Sequence, residues 1–117
     1  MSDTLVIDWA QLLELRELQE PGEPDVVADL IRTFVEDSAV RMGRLREAAA
    51  AGSARQVRLE AHAIKGSSSL MGAGRLTELA QVVESAAEAE GVSPLMIERL
   101  GRLVEDARRL LIQGPPR

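Results

Sequence analysis

Cysteine is absent from the 117-residue chain, histidine occurs once, and the only aromatic residues are Trp9 and Phe34. Without cysteine there is no disulfide framework and no thiol chemistry. One histidine with no cysteine argues against a transition-metal site. Two aromatics and a net charge of −5 argue against nucleic-acid binding by base stacking or a basic patch. No stretch approaches the roughly eighteen consecutive apolar residues of a transmembrane helix. The opening MSDTLVIDWA has only a short apolar patch and no basic segment before it, so it does not read as a secretory signal. The length suits one domain, 1–117, with its own core. These features fit a cytoplasmic protein, and Met1 with a Pro-rich end favours a free-standing chain over a piece of a larger kinase.

What is present is helical periodicity. Asp8 and Gln11 read as a capping box for a short helix over about 8–17 that presents Trp9, Leu12, Leu13 and Leu15. Glu20-Pro21-Gly22-Glu23 breaks it, and Pro24 suits the first turn of a second helix, about 24–51. Val27, Leu30, Ile31, Phe34, Val35, Ser38, Met42 and Leu45 keep one apolar face there, and Gly52 ends it. Ser53 caps a third helix, about 53–71. The turn Gly72-Ala73-Gly74 only reverses the chain, so the fourth helix, about 73–90, packs antiparallel on the third, burying Leu76, Leu79, Ala80, Val83, Ala86 and Ala87. Ser93-Pro94 starts the fifth, about 94–112, with Val92 stapled to Ile97 and a core stripe through Leu100, Leu103, Val104, Ala107, Leu110 and Leu111. Residues 113–117 form a tail. No segment alternates as a strand does. The expected fold is all-α: an antiparallel four-helix bundle with a short N-terminal capping helix.

The chemistry gathers in Ala61–Gly74, AHAIKGSSSLMGAG, which holds the only histidine. At ~100° per residue, His62, Lys65, Gly66 and Ser69 share one face of the third helix. The apolar stripe of Val57, Ala61, Ile64, Ser68 and Met71 is centred roughly 140° away. Burying that stripe holds His62 towards solvent. A neutral imidazole is nucleophilic near pH 7. A neighbouring lysine can neutralise phosphoryl oxygens, and a glycine lets a partner's backbone come close. Gly66 in mid-helix costs roughly 0.5–1 kcal/mol relative to alanine, which points to close approach by a partner or to small-residue packing against a neighbouring helix.

This stretch resembles the signature of histidine-containing phosphotransfer (HPt) domains, A-H-x-[LI]-K-G-S-S followed by a Gly-Ala turn, here Ala61-His62-Ala63-Ile64-Lys65-Gly66-Ser67-Ser68 and Gly72-Ala73. The resemblance extends over nearly the whole chain. It implies a phosphocarrier that takes a phosphoryl group on His62 from a receiver-domain aspartate and passes it to another. It makes Lys65 the charge partner, Gly66 the close-approach position, and Ser67 and Ser68 small packing residues. Ser69 is a supporting residue with no chemical role assigned. The family's polar residue that holds the imidazole from the next helix falls on Glu84 or on Gln81. Leu59 and Leu70 flank the histidine, either as a docking patch or as padding at the core edge. The implied partners are response-regulator receivers and a hybrid sensor histidine kinase. No cofactor is expected in this chain, since the magnesium belongs to the receiver. Such a carrier is not an enzyme with an ATP-binding or hydrolytic site of its own, and with every core stripe satisfied internally it is expected to be a monomer.

Two other classes compete. An autokinase dimerisation helix pair needs an ATP-binding domain, but the chain has no nucleotide-binding glycine-rich loop, and Ala63 stands where an acidic residue usually follows the histidine. A helical adaptor with an inert His62 is the alternative that composition alone allows.

Overall fold

Three of the four long helices begin on a side chain that satisfies their first free amides. The computed structural model describes residues 4–116. In it Asp25 accepts from the Ala28 amide at the start of α2 (Val26–Ala50), Ser53 from Gln56 at the start of α3 (Ala54–Leu70), and Ser93 from Met96 at the start of α5 (Pro94–Gln113). The remaining elements are α1 (Ala10–Glu17) and α4 (Gly74–Glu88). No strand occurs among the described residues.

Three residues, 71–73, join α3 to α4. Gly72 sits at φ +75, and the amides of Gly72 and Ala73 reach back to the carbonyls of Ser69 and Ser68. The helices then close a ring in which α2 packs on α3, α3 on α4, α4 on α5, and α5 on α2. Leu45, Ile64, Met71, Leu76, Val83, Leu100 and Val104 fill its centre, each at most 1% exposed. A Leu or Ile buried this fully contributes about 1.5–3 kcal/mol. The stripe Val57, Ala61, Ile64, Ser68 and Met71 is buried throughout, as its spacing predicts. Val92 and Ile97 both lie partly buried against the core, as the staple requires. The bundle expected from the periodicity is the fold observed.

Several details differ. The capping box at Asp8 does not form: helix α1 begins at Ala10, and Asp8 Oδ1 accepts from the Ala10 amide at 3.1 Å. Gln11 cannot close the box because the Asp8 amide already donates to the Gly72 carbonyl at 2.9 Å. Leu13 is exposed, whereas Leu12 is fully buried and Trp9 and Leu15 are half-buried. Pro24 lies outside α2, because Gln19 folds back, donating to the Pro24 carbonyl and accepting from the Val26 amide, and leaves Asp25 to cap. Helix α4 stops at Glu88 because the Gly91 amide closes on the Ala86 carbonyl. Gln113 belongs to α5, and Arg117 of the expected tail, like Met1, lies outside the described residues.

The N-terminal segment does more than precede a helix. Leu5 and Ile7 point into the core at 5% and 6% exposure while Val6 between them faces solvent. With the Asp8–Gly72 bond, they strap the chain's start across the end of the bundle where α3 turns into α4.

Candidate functional site

Helix α3 presents His62 on the seam it shares with α4, and the seam is a ladder of cross-helix polar pairs. Arg58 Nε lies 3.5 Å from Glu88 Oε1, His62 Nδ1 2.9 Å from Glu84 Oε1, and Lys65 Nζ 2.9 Å from Gln81 Oε1. Nearer the turn, the Ser68 and Thr77 hydroxyls meet at 2.9 Å, one donating to the other, and the second hydroxyl donates to the backbone carbonyl within its reach, Lys65 for Ser68 or Ala73 for Thr77. Each of the first three pairs is equidistant from Ala73 along the chain, which is what a tight reversal centred there imposes on two antiparallel helices.

Glu84 is the hub. Its Oε1 meets His62 Nδ1 and its Oε2 meets Lys65 Nζ, each at 2.9 Å, while its side chain is only 14% exposed. The bonds from Lys65 and then His62 outweigh burial and hold the Glu84 carboxyl below the ordinary carboxylate range. An ionised carboxylate only accepts, so a neutral His62 carries its hydrogen on Nδ1 and offers Nε2 as the free nitrogen. The imidazole itself stands 65% exposed.

The residues singled out in the sequence fall into two groups. His62, Lys65, Gln81 and Glu84 form one cluster, two hydrogen bonds joined by the Lys65–Glu84 ion pair. Of the two candidates for holding the imidazole, Glu84 bonds the ring, whereas Gln81 bonds Lys65 and donates to Ser85 Oγ. Gly66, Ser69, Leu59 and Leu70 lie around this cluster on the surface. A Cβ at Gly66 would meet nothing within 4 Å, which removes small-residue packing as the reason for glycine there. Leu59 and Leu70 are each 39% exposed. Ser69 is exposed, with no bond of its hydroxyl to the cluster. Ser67 and Ser68 pack as small residues, half-buried and fully buried.

Two features of the site went unread in the sequence. Equal spacing from Ala73 distinguishes Glu84 from Gln81 as the partner of His62, and it also finds Arg58–Glu88. The second is Glu60, which is 2% exposed on the inner side of α3 and receives Arg41 Nη1 at 3.1 Å, with Arg41 Nε on Asp37 at 3.3 Å. Burial works to lower the Arg41 guanidinium, but its bonds to Glu60 and Asp37 outweigh that and leave it raised. Glu60 sits three residues after Val57 and four before Ile64, in the phase of the core stripe, and that position was the available signal.

Comparison with known proteins agrees with this fold. The family model for the Hpt domain matches residues 29–111. Histidine-containing phosphotransfer protein 2 of Arabidopsis thaliana is 34% identical over 83 residues, an alignment covering 68% of this chain and 53% of that protein. The chain thus spans about half the length of that curated relative. The crystal structure of histidine-containing phosphotransfer protein B (HptB) from Pseudomonas aeruginosa PAO1 superposes with a TM-score of 0.81 at 35% identity, covering 92% of this chain and 91% of that one. The chain belongs to the Hpt domain family, the histidine-containing phosphotransfer domains of phosphorelays. Members of this family are carriers of phosphoryl groups and not enzymes in the ordinary sense.

Proposed function

We propose that His62 accepts a phosphoryl group from a receiver-domain aspartyl phosphate and passes it to a second receiver aspartate. The observation that carries this is the exposed imidazole whose Nδ1 is held by Glu84. Nε2 attacks phosphorus, the new N–P bond forms as the acyl-phosphate P–O bond breaks, and the electron pair leaves on the receiver's carboxylate. The ring keeps its Nδ1 hydrogen and gains positive charge, which the Glu84 carboxylate faces. The reverse sequence delivers the group to the next receiver.

The bundle supplies a rigid nucleophile and a docking surface. No group of three or more His, Cys, Asp or Glu side chains that could hold a metal ion occurs among the described residues, which supports placing the magnesium on the receiver. We read Leu59, Gly66 and Leu70 as the floor on which the receiver settles, since all three are exposed around the imidazole. The partners are receiver domains, with a hybrid sensor kinase as one source of the group. No helix among the described residues is long and apolar enough to cross a membrane, which supports a cytoplasmic carrier. The four long helices bury their stripes against one another, which supports a monomer. No ATP site of its own is needed.

The test incubates wild type and His62→Gln with a phosphorylated receiver, and separately with ATP. Wild type takes an acid-labile, base-stable label from the receiver alone, and His62→Gln takes none. Equal labelling of His62→Gln, or labelling from ATP alone, overturns the reading.

A further inference from the structure

The motif makes Lys65 the cation that meets the phosphoryl group, but its ammonium is already engaged. It donates to Gln81 Oε1 at 2.9 Å and is ion-paired with Glu84 Oε2, also at 2.9 Å. Its side chain is 26% exposed, against 65% for His62, so the charge sits inward of the ring. Gln81 is itself fixed, because its Nε2 donates to Ser85 Oγ at 3.0 Å and so turns its carbonyl oxygen towards Lys65. The order of contacts is Ser85, Gln81, Lys65, Glu84, His62.

We infer that Lys65 is a positioning residue acting on His62 through Glu84, its ammonium keeping that carboxylate ionised and seated on Nδ1–H, and that it does not serve His62 by direct contact with the phosphoryl group. This rests on the phosphocarrier reading for its kinetic consequences, though not for its spectroscopic ones. The logic is the donor inventory. An ionised Glu84 can only accept, which fixes the hydrogen on Nδ1 and leaves the Nε2 lone pair free. Glu84 is mostly covered, so removing its counter-charge favours taking up a proton. A protonated carboxyl can donate to Nδ1, which moves the ring hydrogen to Nε2 and blocks the nucleophile. The same carboxylate faces the positive charge that the ring gains when the N–P bond forms. Lys65 therefore affects the reaction before the phosphoryl group arrives.

The test is a double-mutant cycle of Lys65→Met and Glu84→Gln, read in two ways. The first readout is ¹⁵N NMR of the His62 ring in the unphosphorylated protein, which reports the tautomer without any transfer. Wild type shows hydrogen on Nδ1, and Lys65→Met moves population to the Nε2–H form. The second is transfer from a phosphorylated receiver at several receiver concentrations. Each single variant loses about 10- to 100-fold in maximal rate, the worth of a hydrogen bond to a charged group. The receiver concentration for half-maximal rate stays near wild type. The double variant is within about twofold of Glu84→Gln alone, because coupled residues fail to add where independent ones do. Lys65→Arg restores part of the rate by returning the charge. Gln81→Leu, which leaves Lys65 and Glu84 in place, gives a smaller loss in the same direction and guards against misfolding of the other variants. A Lys65→Met protein with an unchanged tautomer, or one whose loss adds fully to that of Glu84→Gln, overturns the inference. Failure of the phosphocarrier reading looks different: His62→Gln is still labelled, while the tautomer shift on Lys65→Met persists.

Discussion

Gly66 gives the sharpest separation between stability and docking. It lies one turn beyond His62 on the exposed side of α3, at a negative φ and with open space where a Cβ would stand. Alanine there meets no neighbour, so helix propensity alone sets the effect, a gain of about 0.8–1 kcal/mol. For a domain of this size that raises the melting temperature by about 2–6 °C. Arginine is nearly as good a helix former as alanine, so Gly66→Arg also melts at or above wild type. Its side chain, though, stands about 5–6 Å from that of His62, the spacing of neighbours one turn apart. A receiver reaching the imidazole must then displace it. We expect Gly66→Arg to weaken receiver binding at least tenfold, about 1.4 kcal/mol, while Gly66→Ala transfers at close to the wild-type rate. The assay pairs thermal unfolding by circular dichroism with transfer rates over a range of receiver concentrations. A melting temperature several degrees below wild type for Gly66→Ala would refute the open-space reasoning. Undiminished transfer by Gly66→Arg would show that receivers approach from another side.

Other perturbations test the frame around the site. A Cβ on Gly72 would lie 2.1 Å from the Asp8 carbonyl oxygen, at φ +75, so Gly72→Ala loses about 1–3 kcal/mol to backbone strain alone; urea unfolding reads the loss, and fluorescence of Trp9, the only tryptophan, should shift to the red as the strap detaches. Arg41→Met leaves Glu60 buried and unpaired and should cost about 3 kcal/mol, the low end for a broken buried pair because Arg41 is a third exposed, whereas Arg41→Met with Glu60→Leu should recover most of it; equal losses for the single and double variants would remove the pair as the cause. The carboxyl of Glu84 is depressed in the folded chain by Lys65 and His62, so its contribution to stability is present above the unfolded value near 4.5 and is lost as pH falls through the folded value. Urea unfolding of wild type and Glu84→Gln should therefore differ at pH 6 and converge as the solution is acidified below 4.5; a gap independent of pH would sever the link to ionisation.

Much of this was legible in the sequence because the signals were local and mutually consistent. Ser53 and Ser93 cap where their neighbours require, and the stripe through Val57 and Ile64 buries itself and thereby turns His62 outward. What escaped depends on tertiary partners that no window of sequence contains. The Asp8 amide is taken by Gly72, sixty-four residues away, which cancels a capping box that is locally sound. Gln19 folds over Pro24 and moves the start of α2 to Asp25. Leu5 and Ile7 alternate over too few residues to register as a core segment until the α3–α4 turn gives them somewhere to lie. Glu60 keeps core phase as a charged residue only because Arg41 arrives from α2.

The reversal at Ala73 makes chain length itself part of the chemistry. His62 and Glu84 meet because each lies eleven residues from that turn, and the turn has no slack: its amides close on Ser68 and Ser69, and the strap at Asp8 holds it from outside. One residue gained or lost within either helix between the turn and the pair would rotate a partner by ~100° and slide it about 1.5 Å. The carboxylate would then face the core or open solvent, and no side chain would hold Nδ1. An inserted residue on this hairpin can thus abolish the site while every functional residue keeps its identity. In this protein the hairpin acts as a ruler, and its graduations run from Arg58–Glu88 through His62–Glu84 to Lys65–Gln81.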